Sequence, residues 1–334
     1  MKIGILTFHN ADNYGAVLQC YAMQEKLKEL HPNDEIYVID YKCPKIVNSY
    51  IPRFNFKRPW SILGYIKTKK KCKTFQQFRE KYFNLGTDDL AFYDTIYYGS
   101  DQIWSSRLTE NDLTYFGKGF SGKKIAYAAS DGGNLMLTDE IKNELNTYSA
   151  ISCRETSLTN KLSQNNLSIP TSTVCDPVFL LSKDEWLKMA KLPKEENYIL
   201  TYKIRENVNF DSEAEKIGRL LGKKVIQIVY VKPLRKLFYH GQRFAEGISP
   251  EQFVGYFAKA DFVLTTSFHG TAFSSIFNKP FYVLKINNAS KRITDLLTAL
   301  SIEDRYGEEY QNNKTSICGF EEYRAKGINY LINK

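Results

Sequence analysis

Apolar strand runs and helical stretches alternate along the whole chain, and that rhythm restricts the fold more than any other feature. Ile3 to Phe8 is a short apolar run, followed by a polar turn from His9 to Gly15. Ala16, Cys20, Met23, Leu27 and Leu30 then recur at helical spacing and mark one buried helix face. His31-Pro32 ends that helix, and Ile36 to Tyr41 reads as a second strand. A strand–helix–strand opening is a βαβ unit, which builds parallel sheets through right-handed crossovers. Strands are expected again at Thr95 to Tyr98, Lys124 to Ser130, Ala150 to Cys153 and Thr171 to Cys175, the last punctuated by Asp176-Pro177.

The alternation then restarts. Tyr198 to Tyr202 and Lys224 to Val231 read as strands flanking a helix over Ser212 to Leu221. A loop with Pro233, Gly241 and Gly247 leads to a helix over Pro250 to Lys259, with Ser249 as its N-cap. Strands at Phe262 to Thr266 and Phe281 to Leu284 flank a helix over Gly270 to Phe277. Helices near Ser290 to Leu300 and Phe320 to Ile332 close the chain. A length of 334 residues suits about two domains. The expectation is an α/β protein of two doubly wound, Rossmann-like lobes facing a cleft, with ligands beyond the carboxyl ends of the strands. The N-terminal lobe would run over 1–176 with an insertion at 42–85. The C-terminal lobe would cover 177–310, with a closing helical segment over 311–334.

Charge is concentrated in that insertion. Residues 42–81 hold 12 Lys/Arg against the single acid Glu80, so they carry +11 of a chain total of +9 and leave −2 for the rest. A nucleic-acid partner is therefore not expected, since no such motif accompanies the charge. The segment reads either as a solvated basic face or, through Phe54, Phe56, Trp60, Tyr65, Phe75, Phe78, Tyr82 and Phe83, as a basic-aromatic surface over 53–81 for an anionic membrane. No apolar run approaches the ~20 residues needed to span a bilayer, and the amino terminus is strand-like, so a cytoplasmic protein is expected, with peripheral contact at the inner membrane face. The six cysteines show no CxxC spacing and read as reduced thiols. Neither a metal nor a cofactor is expected, because HExxH, Walker A, GxSxG and Asp-rich loops are all missing.

Four strand ends carry the polar groups that could do chemistry. The first is Ser267, Phe268, His269, Gly270 and Thr271, where an apolar strand hands over to a helix whose N-terminus suits an anion. His269 adds a group that moves protons near neutral pH, or else the segment is an N-cap with a half-buried histidine. The second is Ser100, Asp101, Gln102 and Trp104, in which Asp101 would serve as base or hydroxyl acceptor and Trp104 would stack on a sugar ring. The same residues would equally make a capped turn with a core Trp. The third is Arg154, suited to bidentate binding of phosphate or carboxylate, or else to a surface ion pair with Glu155. The fourth is the first turn, with Asn10, Asn13, Tyr14 and Gly15, which lacks the GxGxxG fingerprint and disfavours a dinucleotide. It suits a hydroxyl-rich ligand, or it is Asx-turn chemistry alone.

Together these segments resemble the polysaccharide pyruvyl transferase family. The resemblance rests on Asn13-Tyr14-Gly15 with Leu18-Gln19, GSDQIW (99–104), YAAS (127–130), ISCRE (151–155), DPVFLL (176–181) and TSFHGTAFS (266–274). It implies a GT-B-like fold and transfer of a pyruvyl group from phosphoenolpyruvate, as donor substrate, to a hydroxyl pair of a cell-surface glycan or its lipid-linked precursor, forming a ketal. It makes His269 the acid/base and Arg154 the ligand of the donor's anionic groups, with the SFHG turn completing the donor pocket and Asp101 a further catalytic carboxylate. Cys153 and Asp131 depart from the residues expected at those places and leave the acceptor sugar open. The alternatives are a GT-B-type glycosyltransferase using a nucleotide-sugar and a non-catalytic sugar-binding protein.

Overall fold

Strands such as Thr95–Tyr98 (TIYY) and Tyr198–Tyr202 (YILTY) are buried along their whole length. Burial on both faces is what a parallel sheet covered by helices requires. The computed structural model describes residues 1–51, 62–165, 167–204, 209–230, 242–286, 291–312 and 316–334. In chain order the elements begin β1 (Lys2–Leu6), α1 (Tyr14–Leu30), β2 (Glu35–Ile39), α2 (Pro44–Tyr50), α3 (Ile62–Tyr82), β3 (Leu85–Gly86), β4 (Thr95–Tyr98) and α4 (Ser106–Thr109). They continue β5 (Lys123–Ala129), α5 (Asp139–Leu145), β6 (Ala150–Cys153), α6 (Thr156–Gln164), β7 (Thr171–Thr173), α7 (Lys183–Met189), β8 (Tyr198–Tyr202), α8 (Phe210–Leu221) and β9 (Lys224–Val229). The chain ends with β10 (Gln242–Glu246), α9 (Pro250–Lys259), β11 (Phe262–Thr265), α10 (Phe268–Ile276), β12 (Phe281–Leu284), α11 (Lys291–Ala299), β13 (Tyr306–Gly307) and α12 (Phe320–Ile332).

Two compact units result. The first comprises 1–51, 79–181 and 321–334, and the second 52–78 and 182–320. The first unit carries a seven-stranded parallel sheet in the order β3-β2-β1-β4-β5-β6-β7. The second carries a six-stranded parallel sheet in the order β10-β9-β8-β11-β12-β13. Each sheet starts in its middle, grows to one side, and then reverses. The reversal falls between β1 and β4 in one unit and between β8 and β11 in the other. Such a switch point opens a crevice at the carboxyl ends of the two central strands, where doubly wound folds take their ligands.

Local chemistry explains most boundaries. Asn13 caps α1 by accepting from the Gly15 and Ala16 amides. Ser249 caps α9 in a reciprocal box with Gln252, with Pro250 at the first helical position, as the sequence leads one to expect. The expected loop before α9 instead contains a strand, β10, because Gln242–Glu246 pairs in register with Val225–Val229. Pro233 and Gly241 lie outside the described residues, as do Phe54, Phe56 and Trp60.

Where it is described, the basic insertion forms the helices α2 and α3. Phe75, Phe78 and Phe83 are buried, so these three of the expected surface aromatics belong to the core. Lys71 is also buried, its ammonium 4.0 Å from the centre of the Tyr230 ring and 5.3 Å from that of Phe75. It is a packed cation and not part of a surface charge.

The closing helix α12 belongs to the first unit. Arg324 donates to the Phe179 and Leu180 carbonyls at 3.1 and 3.3 Å, and the Tyr330 hydroxyl donates to the Ala126 carbonyl at 3.0 Å. Gly327 permits this docking, since a Cβ there would overlap Cys175 Sγ and Tyr127 Oη, both on fully buried residues. Gly327→Ala is therefore expected to destabilise the protein by about 1–3 kcal/mol through overpacking. Urea unfolding checks this, and an unchanged or raised midpoint would show that the helix shifts to make room.

Candidate functional site

In the first unit the crevice at the β1/β4 switch point is built by side chains that tie the two strand ends together. Thr7, just past β1, donates through its hydroxyl to the Ser100 carbonyl at 2.9 Å. Gln19 on α1 donates to Thr7 Oγ1 at 2.9 Å and accepts from the Ser100 amide at 3.3 Å. Gly99 lies at φ +116°, and a Cβ there would strike the Tyr127 carbonyl, so only glycine fits. Asp101 follows in the left-handed region at φ 66°, a conformation Asp tolerates better than most residues. Its side chain remains partly accessible, at 15%.

Behind Asp101 lies a buried ionic cluster. Arg154 Nη1 donates to Asp176 Oδ2 at 2.6 Å. Arg154 Nε lies 3.6 Å from Glu155, and Nη2 lies 3.9 Å from Asp101. The Ser130 hydroxyl donates to Glu155, and the Ser100 hydroxyl donates to Asp176 at 3.3 Å. Burial works against the guanidinium charge. The attraction of Asp176, Glu155 and Asp101 outweighs it, and the Arg154 pKa is raised. One cation thus meets three carboxylates. This setting does not fit the expectation that Arg154 grips the donor's anionic groups. Its side chain is 1% exposed, and a dianion would enter a cluster already in excess of negative charge. Arg154 instead organises the carboxylates.

Other expected residues sort as follows. Trp104 is fully buried, stacked on Phe116, and donates its indole N–H to the Tyr115 carbonyl at 2.9 Å. It is a core residue and cannot stack on a sugar, which corrects the expectation for it. Tyr14 is likewise enclosed, and Gly15 is buried in the first turn of α1. Asn10, Asn13 and Gln102 are half-buried. Asp131 caps its own loop, accepting from Gly133 and Leu135 amides at 2.8 and 3.1 Å. Buried Cys153 has its thiol pKa pushed up by desolvation, as suits a core thiol.

Three features were not anticipated from the sequence. His9 Nε2 lies 3.1 Å from Asp40 Oδ1, and that hydrogen bond, with Lys42, holds the Asp40 pKa down at about 2. Arg79 donates to Asp12 at 3.0 Å, fixing the first turn. Tyr50, at the end of α2, packs half-buried against the core of the first unit, and burial pushes its phenol pKa up to about 12. Strand-end position could have flagged His9 and Asp40, whereas nothing local marks Tyr50.

In the second unit the switch point holds the SFHG turn. Thr265 donates to the Tyr202 carbonyl at 2.7 Å and accepts from the Ser267 amide at 3.0 Å. Ser267 caps α10 through the Gly270 amide at 3.3 Å, and Thr271 donates back to the Ser267 carbonyl at 3.0 Å. Gly270 is required by packing, since a Cβ would run into Thr265 Oγ1. Ser267, Phe268 and Thr271 are buried, while His269 in the first turn of α10 is half-buried. Lys203, just past β8, lies 3.3 Å from Asp211, which balances its charge. Among the described residues no group of three His, Cys, Asp or Glu is placed to hold a metal ion.

Two parallel α/β units, each with its polar groups at a sheet switch point, define a GT-B-like protein. The chain belongs to the polysaccharide pyruvyl transferase family, whose model matches residues 13–288, and it is thereby placed among enzymes. No curated protein matches it. Among solved structures, the UDP complex of S. aureus MnaA is similar at 12% identity and a TM-score of 0.53, covering 100% of this chain and 88% of the other. UDP-GlcNAc 2-epimerases from Neisseria meningitidis and Methanocaldococcus jannaschii are each similar at 12% identity and a TM-score of 0.50, each covering 100% of this chain and 99% and 93% of their own. At such identity the likeness is one of fold.

Asp176 is the strongest partner of Arg154, and it also accepts from the Val178 amide at 3.1 Å. Asp176→Ala is expected to destabilise by roughly 3–5 kcal/mol, the usual effect of stripping a partner from a buried ion. Chemical denaturation measures it. A loss under about 1 kcal/mol would mean that the remaining carboxylates suffice for the guanidinium.

Proposed function

We propose that this chain transfers the pyruvyl group of phosphoenolpyruvate to a hydroxyl pair of a glycan or its lipid-linked precursor, forming a cyclic ketal and releasing phosphate. The observation that carries the reading is the family match over residues 13–288, joined to the different charge of the two crevices. The first unit gathers Asp101, Asp176 and Glu155 around one arginine, which suits neutral hydroxyls. The second offers the N-terminus of α10 with His269 in its first turn, which suits an anion such as a phosphate or a carboxylate. The donor therefore goes to the second unit and the sugar to the first.

The chemistry balances with these groups. One sugar hydroxyl adds to the enol carbon, and a proton reaches the methylene carbon to make a methyl group. The second hydroxyl then displaces phosphate, which leaves with the remaining proton. We assign His269 to proton transfer at the donor and Asp101 to the attacking hydroxyl. Arg154 positions Asp101. No resident cofactor is invoked.

His269→Gln is expected to lower acceptor-dependent phosphate release from phosphoenolpyruvate by about 100-fold or more. Unchanged release would remove His269 from the mechanism. Mass spectrometry of simple glycosides incubated with phosphoenolpyruvate tests the reaction itself, through the added mass of a pyruvyl ketal. The nucleotide-sugar reading gains from the UDP-bound structures of similar fold. Thermal shift separates the two: phosphoenolpyruvate raises the melting temperature and UDP does not, whereas the reverse would favour glycosyl transfer.

We also propose peripheral contact with an anionic membrane at the cytoplasmic face. No described helix is long and apolar enough to cross a membrane. On α3, Ile62 and Ile66 are 49% and 55% exposed and share a stripe with exposed Lys69, Lys70 and Lys73. Exposed apolar groups beside lysines complement an acidic headgroup layer. Glu80, the insertion's single acid, lies two turns beyond. Replacing Lys69, Lys70 and Lys73 by Ser should weaken co-sedimentation with phosphatidylglycerol-containing vesicles on the order of a hundredfold, at about 1 kcal/mol per lysine. Equal binding would sink the contact.

A further inference from the structure

Gln19 is a polar side chain on α1, buried in the core between Leu18 and Cys20. A buried amide costs stability unless its polar groups are bonded, and here each one is. The side-chain nitrogen donates to Thr7 Oγ1 and to the Ala16 carbonyl, both at 2.9 Å, and the oxygen accepts from the Ser100 amide at 3.3 Å. The reverse orientation would set the nitrogen against the Ser100 N–H and the oxygen against the Ala16 carbonyl, so the amide has one orientation only. Thr7 passes its own proton to the Ser100 carbonyl at 2.9 Å. Both backbone groups of buried Ser100 are thus held by side chains, one from α1 and one from the end of β1, and its hydroxyl donates to Asp176 at 3.3 Å. The next residue is Asp101. Its carbonyl accepts from the Ser130 amide at 3.1 Å, and its Oδ1 accepts from the Gln102 amide at 2.9 Å. Arg154 Nη2 faces the same Oδ1 from 3.9 Å, which attracts the carboxylate but lies beyond hydrogen-bond reach. The orientation of Asp101 is therefore set through the backbone of 100–102, and Oδ2 makes no hydrogen bond among the described residues.

We propose that Gln19 is a positioning residue for Asp101, acting through Thr7 and Ser100 to present Oδ2 to a hydroxyl of the glycan acceptor. This rests on the assignment of the sugar to the first unit and of Asp101 to the attacking hydroxyl. It gives a part in the reaction to a residue that is itself enclosed in the core.

Gln19→Met keeps the length of the side chain and removes its polar groups. The test is a double-mutant cycle between Gln19→Met and Asp101→Asn. It is read as kcat for ketal formation and as dissociation constants for a panel of p-nitrophenyl hexosides without phosphoenolpyruvate. With Asp101 intact, Gln19→Met is expected to lower kcat by about 10- to 100-fold and to weaken hexoside binding by roughly three- to tenfold. With Asp101 already replaced, each should change by less than about twofold, and phosphoenolpyruvate binding should be unchanged in either background. Equal losses in both backgrounds would mean that Gln19 only braces the fold, and would overturn the proposal. Where Gln19→Met lowers the urea midpoint too far to be studied, Thr7→Val and Thr7→Ser take its place. Thr7→Val is expected to repeat the loss and Thr7→Ser, which keeps the hydroxyl, to restore most of it; equal behaviour of the two would overturn the proposal. So would failure of the wild-type protein to bind any hexoside. If wild type binds a hexoside but forms no ketal, the pyruvyl reading fails, while Gln19 stands or falls on the binding cycle.

Discussion

A guanidinium enclosed by protein must be held by carboxylates, and Arg154 draws four strand ends into one arrangement for that reason. Moving such an ion out of water costs several kcal/mol even after relaxation, unless its partners are well placed. Asp176 follows β7, Glu155 adjoins β6, Ser130 follows β5 and Asp101 follows β4, and all converge on this one cation or its partners. The backbone is shaped to permit it. The register of β5 against β6 shifts between Ala126 and Ala129, and Ala128 sits at φ 48°, with its amide held by the Ser152 hydroxyl at 3.1 Å. A bulge there turns the Ser130 end of the strand toward Glu155. Positive φ at a non-glycine typically costs 1–3 kcal/mol, which the surrounding hydrogen bonds must offset.

This cluster also carries more negative than positive charge. With three carboxylates facing one arginine, any further negative charge would meet net repulsion in a medium that screens poorly. The second unit has no such excess at its switch point, where the N-terminus of α10 is capped by Ser267 and Lys203 is paired with Asp211. The two crevices thus differ in electrostatic character, the first crowded with carboxylates and the second formed at a helix N-terminus. An arginine at a strand end looks like an anion clamp in sequence, because its counter-charges are scattered from Asp101 to Asp176 and become neighbours only in the fold.

The same distinction governs what was legible beforehand. Long periodic or strongly apolar elements such as β4, β6, β8, β12, α9 and α12 could be read to the residue, since burial on both faces or on one stripe leaves a clear pattern. The strand β10 could not, because Gln-Arg-Phe-Ala-Glu reads as polar and becomes a strand only by pairing with β9. Trp104 shows the limit on the site side. A tryptophan six residues past a strand end, after a polar turn, has the same sequence appearance whether it faces ligand or core, and packing on Phe116 settles which. In the insertion, composition gave the charge correctly but not its use, since Lys71 is enclosed by aromatic rings while Lys69 and Lys70 face solvent.

Both crevices follow from one topological rule, and the rule explains why the chemistry-bearing residues are so far apart in sequence. A doubly wound sheet begins at its centre, so the first strand of each unit meets a later strand at the reversal. The turn after β1 therefore meets Ser100, the neighbour of Asp101, and the end of β8 meets the approach to the SFHG turn. Residues at such a reversal are fixed by hydrogen bonds between strand ends, as Thr7, Gln19 and Thr265 are, and the scaffold stays rigid whatever is attached to its loops. An insertion placed directly after β2 enters beside the crevice of the first unit without disturbing any ladder.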